Sequence, residues 1–332
     1  VSALEPLAQR LYTILADRAF HSGTALATRC NVSRSAVWKS IATLRSLGVT
    51  VHAVANRGYR LPSAGEPLSA ERIVDALPRA VVAALREGTT VWSTGSTNAD
   101  LMARPSVSPG QFDFLAAEYQ SAGRGRRTRS WFAPPGGAIC LSLSWSFATL
   151  PPDLSALSLA VGVCALRALS ALGIAGAALK WPNDLVASGA KLGGILIELR
   201  AEAGGPAQIV IGIGLNVALG ADIRGQIEAS GTHAADLTQL GVECCDRNRL
   251  AAVLIVQTVQ GLKQFAAHGF SPFAAEWRAA DVLAGKRVVI SADGGLVTGH
   301  ARGIDIDGAL CVQTRAGLQR YVTGDVSVRA AT

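Results

Sequence analysis

Gly123-Arg124-Gly125-Arg126-Arg127-Thr128-Arg129-Ser130-Trp131 lies between two predicted strands, Phe112 to Glu118 and Ile139 to Ser146, and Pro134-Pro135-Gly136-Gly137 closes it. Written as G-x-G-x-x-T, it lacks the third glycine of a dinucleotide fingerprint. A Pro-Gly turn and a strand follow where a Rossmann unit needs a helix. Nicotinamide dinucleotide binding is therefore excluded. The four arginines and two glycines make instead an anion-handling loop. Glycine lets backbone approach a ligand closely, and guanidinium forks match phosphate and carboxylate oxygens. A polyphosphate is the expected guest, against the plainer reading of a solvated charge run.

Further along, Lys180-Trp181-Pro182-Asn183-Asp184-Leu185 puts a lysine at a strand end and then a tight turn. An ammonium, an amide and a carboxylate are held together there, a cluster suited to group transfer. The stretch before it, Ala156 to Leu179, is mostly apolar, but Arg167 sits within it. An arginine in lipid would cost about 2.5–3.5 kcal/mol. Gly173 and Gly176 also divide the stretch into a helix and a strand. Leu157, Val161, Cys164 and Ala168, following Pro151-Pro152-Asp153, predict a buried helix and no membrane association.

Downstream, Lys191 to Leu199 and Gln208 to Val217 read as buried strands joined by Ala203-Gly204-Gly205-Pro206. Helices are expected over Arg247 to Ala267 and Pro272 to Ala280. Val282 to Arg329 then carries short strands with turns at Asp293-Gly294-Gly295 and Asp307-Gly308, as in a small β-barrel. The class is α+β.

Upstream, residues 1–62 hold eight Lys or Arg against Glu5 and Asp17, a balance of +6 out of +7 for the whole chain. The pattern there is a helix (Leu4 to Asp17), a short helix (Gly23 to Arg29), a turn at Cys30-Asn31-Val32, and a helix capped by Ser33 with Val37, Ile41 and Leu44 on its apolar face. Val49 to Leu61 alternates around Ala55-Asn56-Arg57-Gly58, a hairpin wing. This is a winged helix-turn-helix. Ser33, Arg34, Ser35, Trp38 and Lys39, with Arg57 of the wing, are the candidate DNA contacts. A solvated basic face on a protein-docking module, with Trp38 in the core, is the alternative. Pro62-Ser63-Ala64-Gly65-Glu66-Pro67 is a linker by composition, and Ser69 caps the next helix.

The chain has 332 residues, 49% hydrophobic and 17% charged, a globular balance with room for two or three domains. No secretory pattern opens it. Six scattered cysteines without C-x-x-C spacing suggest reduced thiols and no zinc site, and a cytoplasmic location is expected.

Five stretches in order carry a family resemblance: Ser96-Thr97-Asn98, Ala117 to Arg127, Lys180 to Leu185, Lys191-Leu192-Gly193-Gly194-Ile195-Leu196-Ile197-Glu198, and Gly212-Ile213-Gly214-Leu215-Asn216-Val217. The chain resembles the bifunctional biotin-protein ligases that also repress the biotin operon. One departure is Thr128, where the family usually has glycine. The resemblance implies three domains: a winged helix over 1–62, a catalytic domain over 68–280 like the core of class II aminoacyl-tRNA synthetases, and an SH3-like barrel over 281–332. It also implies two acyl transfers, from biotin and ATP to biotinyl-AMP and then to one lysine of a biotin carboxyl carrier protein. Operator DNA and a ligand-induced homodimer are the other implied partners. A biotin-sensing repressor without ligase activity and a lipoate ligase are the competing readings.

Carried over by position, Lys180 and Arg126 are the catalytic candidates. Ser96, Thr97, Asn98, Gln120, Gly123, Arg124, Gly193, Gly194 and Gly212, with Gly214, would hold biotin together with Arg126 and Lys180. Arg129, Trp131, Asn183, Asp184, Lys191, Asn216 and Arg329 would join Arg126 and Lys180 around ATP, with Trp131 against adenine. Asn183 and Asp184 are the implied Mg²⁺ ligands.

Overall fold

The computed structural model describes residues 6–62, 65–126, 129–200, 207–229, 231–292, 295–322 and 327–330. Side chains are described for all of these except 292 and 327–330. Thr128, Arg127, the Ala203–Pro206 turn and most of the Asp293-Gly294-Gly295 turn lie outside the described residues.

The amino-terminal unit is α1 (Pro6–Leu15), α2 (Gly23–Cys30), α3 (Arg34–Ser46) and a hairpin of β1 (His52–Val54) with β2 (Gly58–Arg60). Ser22 and Ser33 cap α2 and α3 by accepting from the amides of Ala25 and Ala36, satisfying donors that a helix start leaves open. Asn31 ends α2 in the left-handed region at φ 55°. Leu11, Leu15, Leu26, Val37, Ile41 and Leu44 form the core of this unit. Each fully buried side chain of this kind contributes about 1.5–3 kcal/mol.

The central sheet has the order β3-β4-β5-β9-β8-β7-β6. Its strands are β3 (Leu85–Thr94), β4 (Phe112–Gln120), β5 (Ala138–Phe147), β6 (Ala177–Lys180), β7 (Asp184–Ala187), β8 (Ala190–Arg200) and β9 (Ala207–Asn216). Only β3 and β4 run parallel. Before, among and after these strands lie α4 (Ala70–Asp75), α5 (Arg79–Val82), α6 (Thr97–Ala103), α7 (Leu157–Ala171), α8 (Ala221–Ala229), α9 (Arg247–His268) and α10 (Ala274–Ala280).

Strand alternation divides this sheet into two chemistries. Ile139, Leu141, Leu143, Ile209, Ile211, Ile213 and Ile195 face the main core, into which α7 and α9 also pack. Leu115 and Val210 face the other way, against Leu101 of α6, on the side where Cys140, Ser142, Gly212 and Gly214 lie. Leu154–Ala171, which is α7 with the short turn before it, and α9 are apolar and long enough to cross a membrane, but most of each is buried inside the protein.

The last unit is antiparallel throughout: β10 (Arg287–Ala292), β11 (Gly295–Ile304), β12 (Leu310–Thr314), β13 (Gly317–Tyr321) and β14 (Ser327–Ala330), ordered β13-β12-β11-β10-β14. Val288, Ile290, Leu310 and Val312 continue the main core, so this unit shares apolar burial with the central sheet.

The amino-terminal unit docks on the central one. Tyr12 is fully buried, its ring edge-on to Trp92 at 5.1 Å. Its hydroxyl donates to the carbonyl of Gly65 in the linker. A buried ion pair, Arg247 with Glu118 at 2.8 Å, anchors the same region. The Glu118 carboxylate also accepts from the amides of Leu68 and Gly136. Breaking such a pair by removing one partner costs about 3–5 kcal/mol.

Candidate active site

The elements that converge on the polar face of the sheet enclose a cavity of about 890 Å³. One end of it is built by α6, through Ser96, Thr97 and Asn98. Ser96 caps that helix by accepting from the Ala99 amide, so the Ser-Thr-Asn motif is both a helix start and a cavity wall. Gln120 Oε1 accepts from the Thr97 amide at 2.8 Å and from its hydroxyl at 3.1 Å. Ser142 Oγ lies 2.6 Å from Asn98 Oδ1 and 2.7 Å from Thr97 Oγ1. Asn98 Nδ2 donates to Glu198 Oε2 at 2.8 Å and to the Leu196 carbonyl at 3.3 Å. A Cβ at position 212 would stand 2.5 Å from Asn98 Oδ1, so glycine is needed for α6 to sit this close.

The arginine loop is a hairpin with a closed neck. The Trp131 amide donates to the Gly123 carbonyl at 2.8 Å, and the Gly125 amide to the Arg129 carbonyl at 2.6 Å. Arg124, Arg126 and Arg129 line the cavity. Arg124 pairs with Glu198 at 3.2 Å. The Trp131 ring lies over Gly214, where a Cβ would come within 2.6 Å of it.

Lys180 ends β6 opposite Asp184, which begins β7, and both line the cavity. Asp184 Oδ1 accepts from Lys191 Nζ at 2.5 Å. Asn183 Nδ2 donates to the Ile195 carbonyl at 2.6 Å. Trp181 anchors this hairpin from beneath, donating to the Gly308 carbonyl in the β11–β12 turn at 3.0 Å. Asn216 Nδ2 is held by the carbonyls of Lys191 and Ala235. Its Oδ1 is buried without a partner among the described residues and belongs to the cavity wall.

Two expected ligand residues, Gly193 and Gly123, are placed differently, and a third, Arg329, is described by its backbone alone. Gly193 turns to the opposite face from Gly194, between Leu215 and Leu185, and only Gly194 lines the cavity. Gly123 is buried in the loop neck, where a side chain would meet the Trp131 carbonyl. Arg329 pairs with Val289 through its backbone, and its side chain lies outside the described residues. Among the described residues no three His, Cys, Asp or Glu side chains converge on a metal position. Asp184 with Asn183 is a partial donor set, of the kind that holds Mg²⁺ together with substrate phosphates.

Sequence reasoning assigned no role to Ser142 or Glu198, which bond the lining residue Asn98, nor to Gln226, Ile227, Gly231, Thr232, His233 and Ala234, which border the cavity. Glu198 stands inside a quoted motif, and its alternation with Gly194 and Leu196 was the available signal.

On the amino-terminal unit, Arg34, Ser35, Trp38 and Lys39 are exposed on α3. Trp38 is 62% exposed, which corrects its alternative placement in the core. Ser33 is occupied as the helix cap and by Ser35. In the wing, the guanidinium of Arg57 stacks on Phe20 at 4.2 Å.

Three family models match the chain: a helix-turn-helix domain over residues 7–60, the biotin/lipoate A/B protein ligase family over 96–216, and the biotin protein ligase carboxy-terminal domain over 284–329. The bifunctional ligase/repressor BirA of Salmonella typhimurium is 38% identical, and that of Escherichia coli 36%, each alignment covering 97% of both chains. The solved biotin protein ligase from Aquifex aeolicus in complex with biotin and ATP superposes with a TM-score of 0.62 at 25% identity, over 74% of this chain and 100% of that one. The chain belongs to the biotin-protein ligase family, in its bifunctional ligase/repressor form with a helix-turn-helix domain.

Proposed function

We propose that this protein is an ATP-dependent biotin-protein ligase that doubles as a DNA-binding repressor. The observation that carries the reading is a single cavity joining an uncharged hydrogen-bonding end, with Ser96, Thr97, Asn98 and Gln120, to a cationic end with Arg124, Arg126, Arg129 and Lys180. A neutral ureido ring needs neutral donors and acceptors, and its carboxylate and the ATP phosphates need cations.

In the first step a biotin carboxylate oxygen attacks the α-phosphorus, the bond to pyrophosphate breaks, and biotinyl-AMP forms. In the second, the neutral ε-amine of a carrier lysine attacks the acyl carbon, AMP leaves, and the amine proton passes to solvent. No enzyme nucleophile is required. Lys180 lies between the two anions and offsets their repulsion, while the arginine loop holds phosphates and retains the anhydride. Asn216, at the end of β9 on the cavity side, would meet the nucleotide, and Asp184 with Asn183 would hold a Mg²⁺ bound together with the ATP phosphates. Lys191 pairs with Asp184 and fixes the direction of its carboxylate.

The Arg34, Ser35, Trp38 and Lys39 face of α3 and the wing arginine Arg57 contact operator DNA in this reading. Two copies on a palindromic site give the affinity that one winged helix lacks, so a homodimer in the cytoplasm is the repressing species.

The test is incubation with ATP, labelled biotin and a biotin carboxyl carrier domain. Label is expected on one carrier lysine, with pyrophosphate released. Bound biotin with no transfer would favour the sensing repressor. Operator shifts at fixed salt are expected to tighten when biotin and ATP are present.

A further inference from the structure

We propose that Glu198 is a positioning residue for ligand recognition, fixing which end of the Asn98 amide faces the cavity. The inference rests on reading the α6 end of the cavity as the seat of a ureido ring.

An asparagine amide carries a donor at one end and an acceptor at the other, so its use to a ligand depends on what holds it. Here Nδ2 is held twice, by Glu198 Oε2 at 2.8 Å and by the Leu196 carbonyl at 3.3 Å. Both partners accept only. A flipped amide would set Oδ1 against a carboxylate and a carbonyl, and that repulsion closes off the alternative. Oδ1 is thereby directed to the other side, where Ser142 Oγ lies at 2.6 Å and where a Cβ on Gly212 would stand 2.5 Å away. That is the glycine-floored part of the cavity, and an acceptor there suits a ureido N–H.

Glu198 is itself held. Its carboxylate lies on the same face of β8 as Leu196, with Leu196 opposite Gly212 in β9, and Arg124 of the loop pairs with it at 3.2 Å. The arginine gives the carboxylate a charged partner in a partly exposed pair, of the kind that contributes little to stability, so that its loss disturbs the loop little. A glutamine at 198 would weaken the constraint, because its own amide can present a donor to a flipped Asn98 and leave only the Leu196 carbonyl to oppose the flip.

Glu198→Gln is expected to raise the dissociation constant for biotin about tenfold, the worth of one hydrogen bond to a charged group, and to raise the KM for biotin in parallel. The ATP dissociation constant and kcat at saturating biotin should move less than about twofold, on the view that uniform ground-state binding is what is lost. Because Glu198 acts through Asn98, the effect should vanish in an Asn98→Ala background, where adding Glu198→Gln should leave biotin affinity unchanged. Unaltered thermal unfolding of the single variant excludes a general loss of fold. The proposal is overturned if Glu198→Gln binds biotin within about twofold of the parent, or if its effect is as large in the Asn98→Ala background as in the parent. It is overturned equally if ATP affinity falls by the same factor as biotin affinity. If the parent chain itself fails to bind biotin in calorimetry, the seat has been misread, a failure distinct from that of the glutamate's role.

Discussion

At the residue scale, the demand on Lys180 is electrostatic. Bringing a carboxylate to the α-phosphate sets two anions together, and a cation fixed at the end of β6, before the partly buried turn that follows, needs little reorganisation to offset them. Lys180→Ala should lower biotin-dependent pyrophosphate exchange about 10²–10³-fold, as loss of a preorganised charge-stabilising group does, with folding unchanged by circular dichroism. A rate equal to that of the parent would remove Lys180 from the chemistry. The cysteines make a complementary prediction. Burial pushes the thiols of Cys140 and Cys164 up to about 12 and that of Cys245 up to about 11, whereas Cys244 is exposed. Only thiolates alkylate readily, so iodoacetamide at pH 8 should label Cys244 first, spare Cys140, and leave ligation intact; raising the pH toward these values increases labelling of the raised thiols. Rapid modification of Cys140 would contradict its burial as a protonated thiol. The motif residues were legible in the sequence because each group of them is contiguous. Glu198, Ser142 and the split between Gly193 and Gly194 were not, because period-two alternation assigns faces only once strand register is known.

At the element scale, the arginine loop is a hairpin whose neck is closed by backbone bonds between Gly123 and Trp131 and between Gly125 and Arg129. The neck holds Arg126 at the cavity wall, where it can contact an anhydride. Replacing Arg126 by glycine removes a charge-assisted contact and adds backbone freedom. Biotinyl-AMP should then dissociate about 10- to 100-fold faster, as expected for one lost hydrogen bond to a charged group, measured by chasing labelled adenylate from the protein. Retention equal to that of the parent would move the holding contact elsewhere. The same local logic made the helix-turn-helix and its wing readable: Ser33 as cap, Asn31 and Asn56 in left-handed turns, and a short hairpin are all local signals. The parallel pairing of β3 with β4 and the placing of β9 between β5 and β8 are contacts between distant segments, on which no local propensity bears.

At the scale of the whole molecule, composition marks residues 62–67 as a linker and suggests separable ends, such that removing residues 1–62 would abolish operator binding and leave biotin transfer largely intact. The docking seen here modifies the second expectation. No side chain from residues 6–62 lines the cavity, so the transfer step itself should survive the deletion. The walls of the cavity, however, lean on the amino-terminal unit. Tyr12 packs beside Gly136, just past the arginine loop, and Gly48 packs against Pro134 and against Ile223 of α8, the helix whose last turns border the adenylate end. Burial raises the Tyr12 hydroxyl above the usual tyrosine range, so it remains a donor to the linker at any working pH. Deleting residues 1–62 should therefore abolish operator shifts and leave single-turnover transfer from bound adenylate nearly unchanged. Adenylate dissociation should rise by about 5- to 150-fold, the range typical of free-energy coupling between sites. The milder variant Tyr12→Ala in the full chain should move dissociation in the same direction while keeping α3 folded and able to bind DNA. By linkage, operator DNA that favours the docked arrangement should then slow adenylate release from the parent protein and not from Tyr12→Ala. Stopped-flow release with and without operator would decide it: equal release from the full chain and from the deletion would mean that the two units touch without communicating.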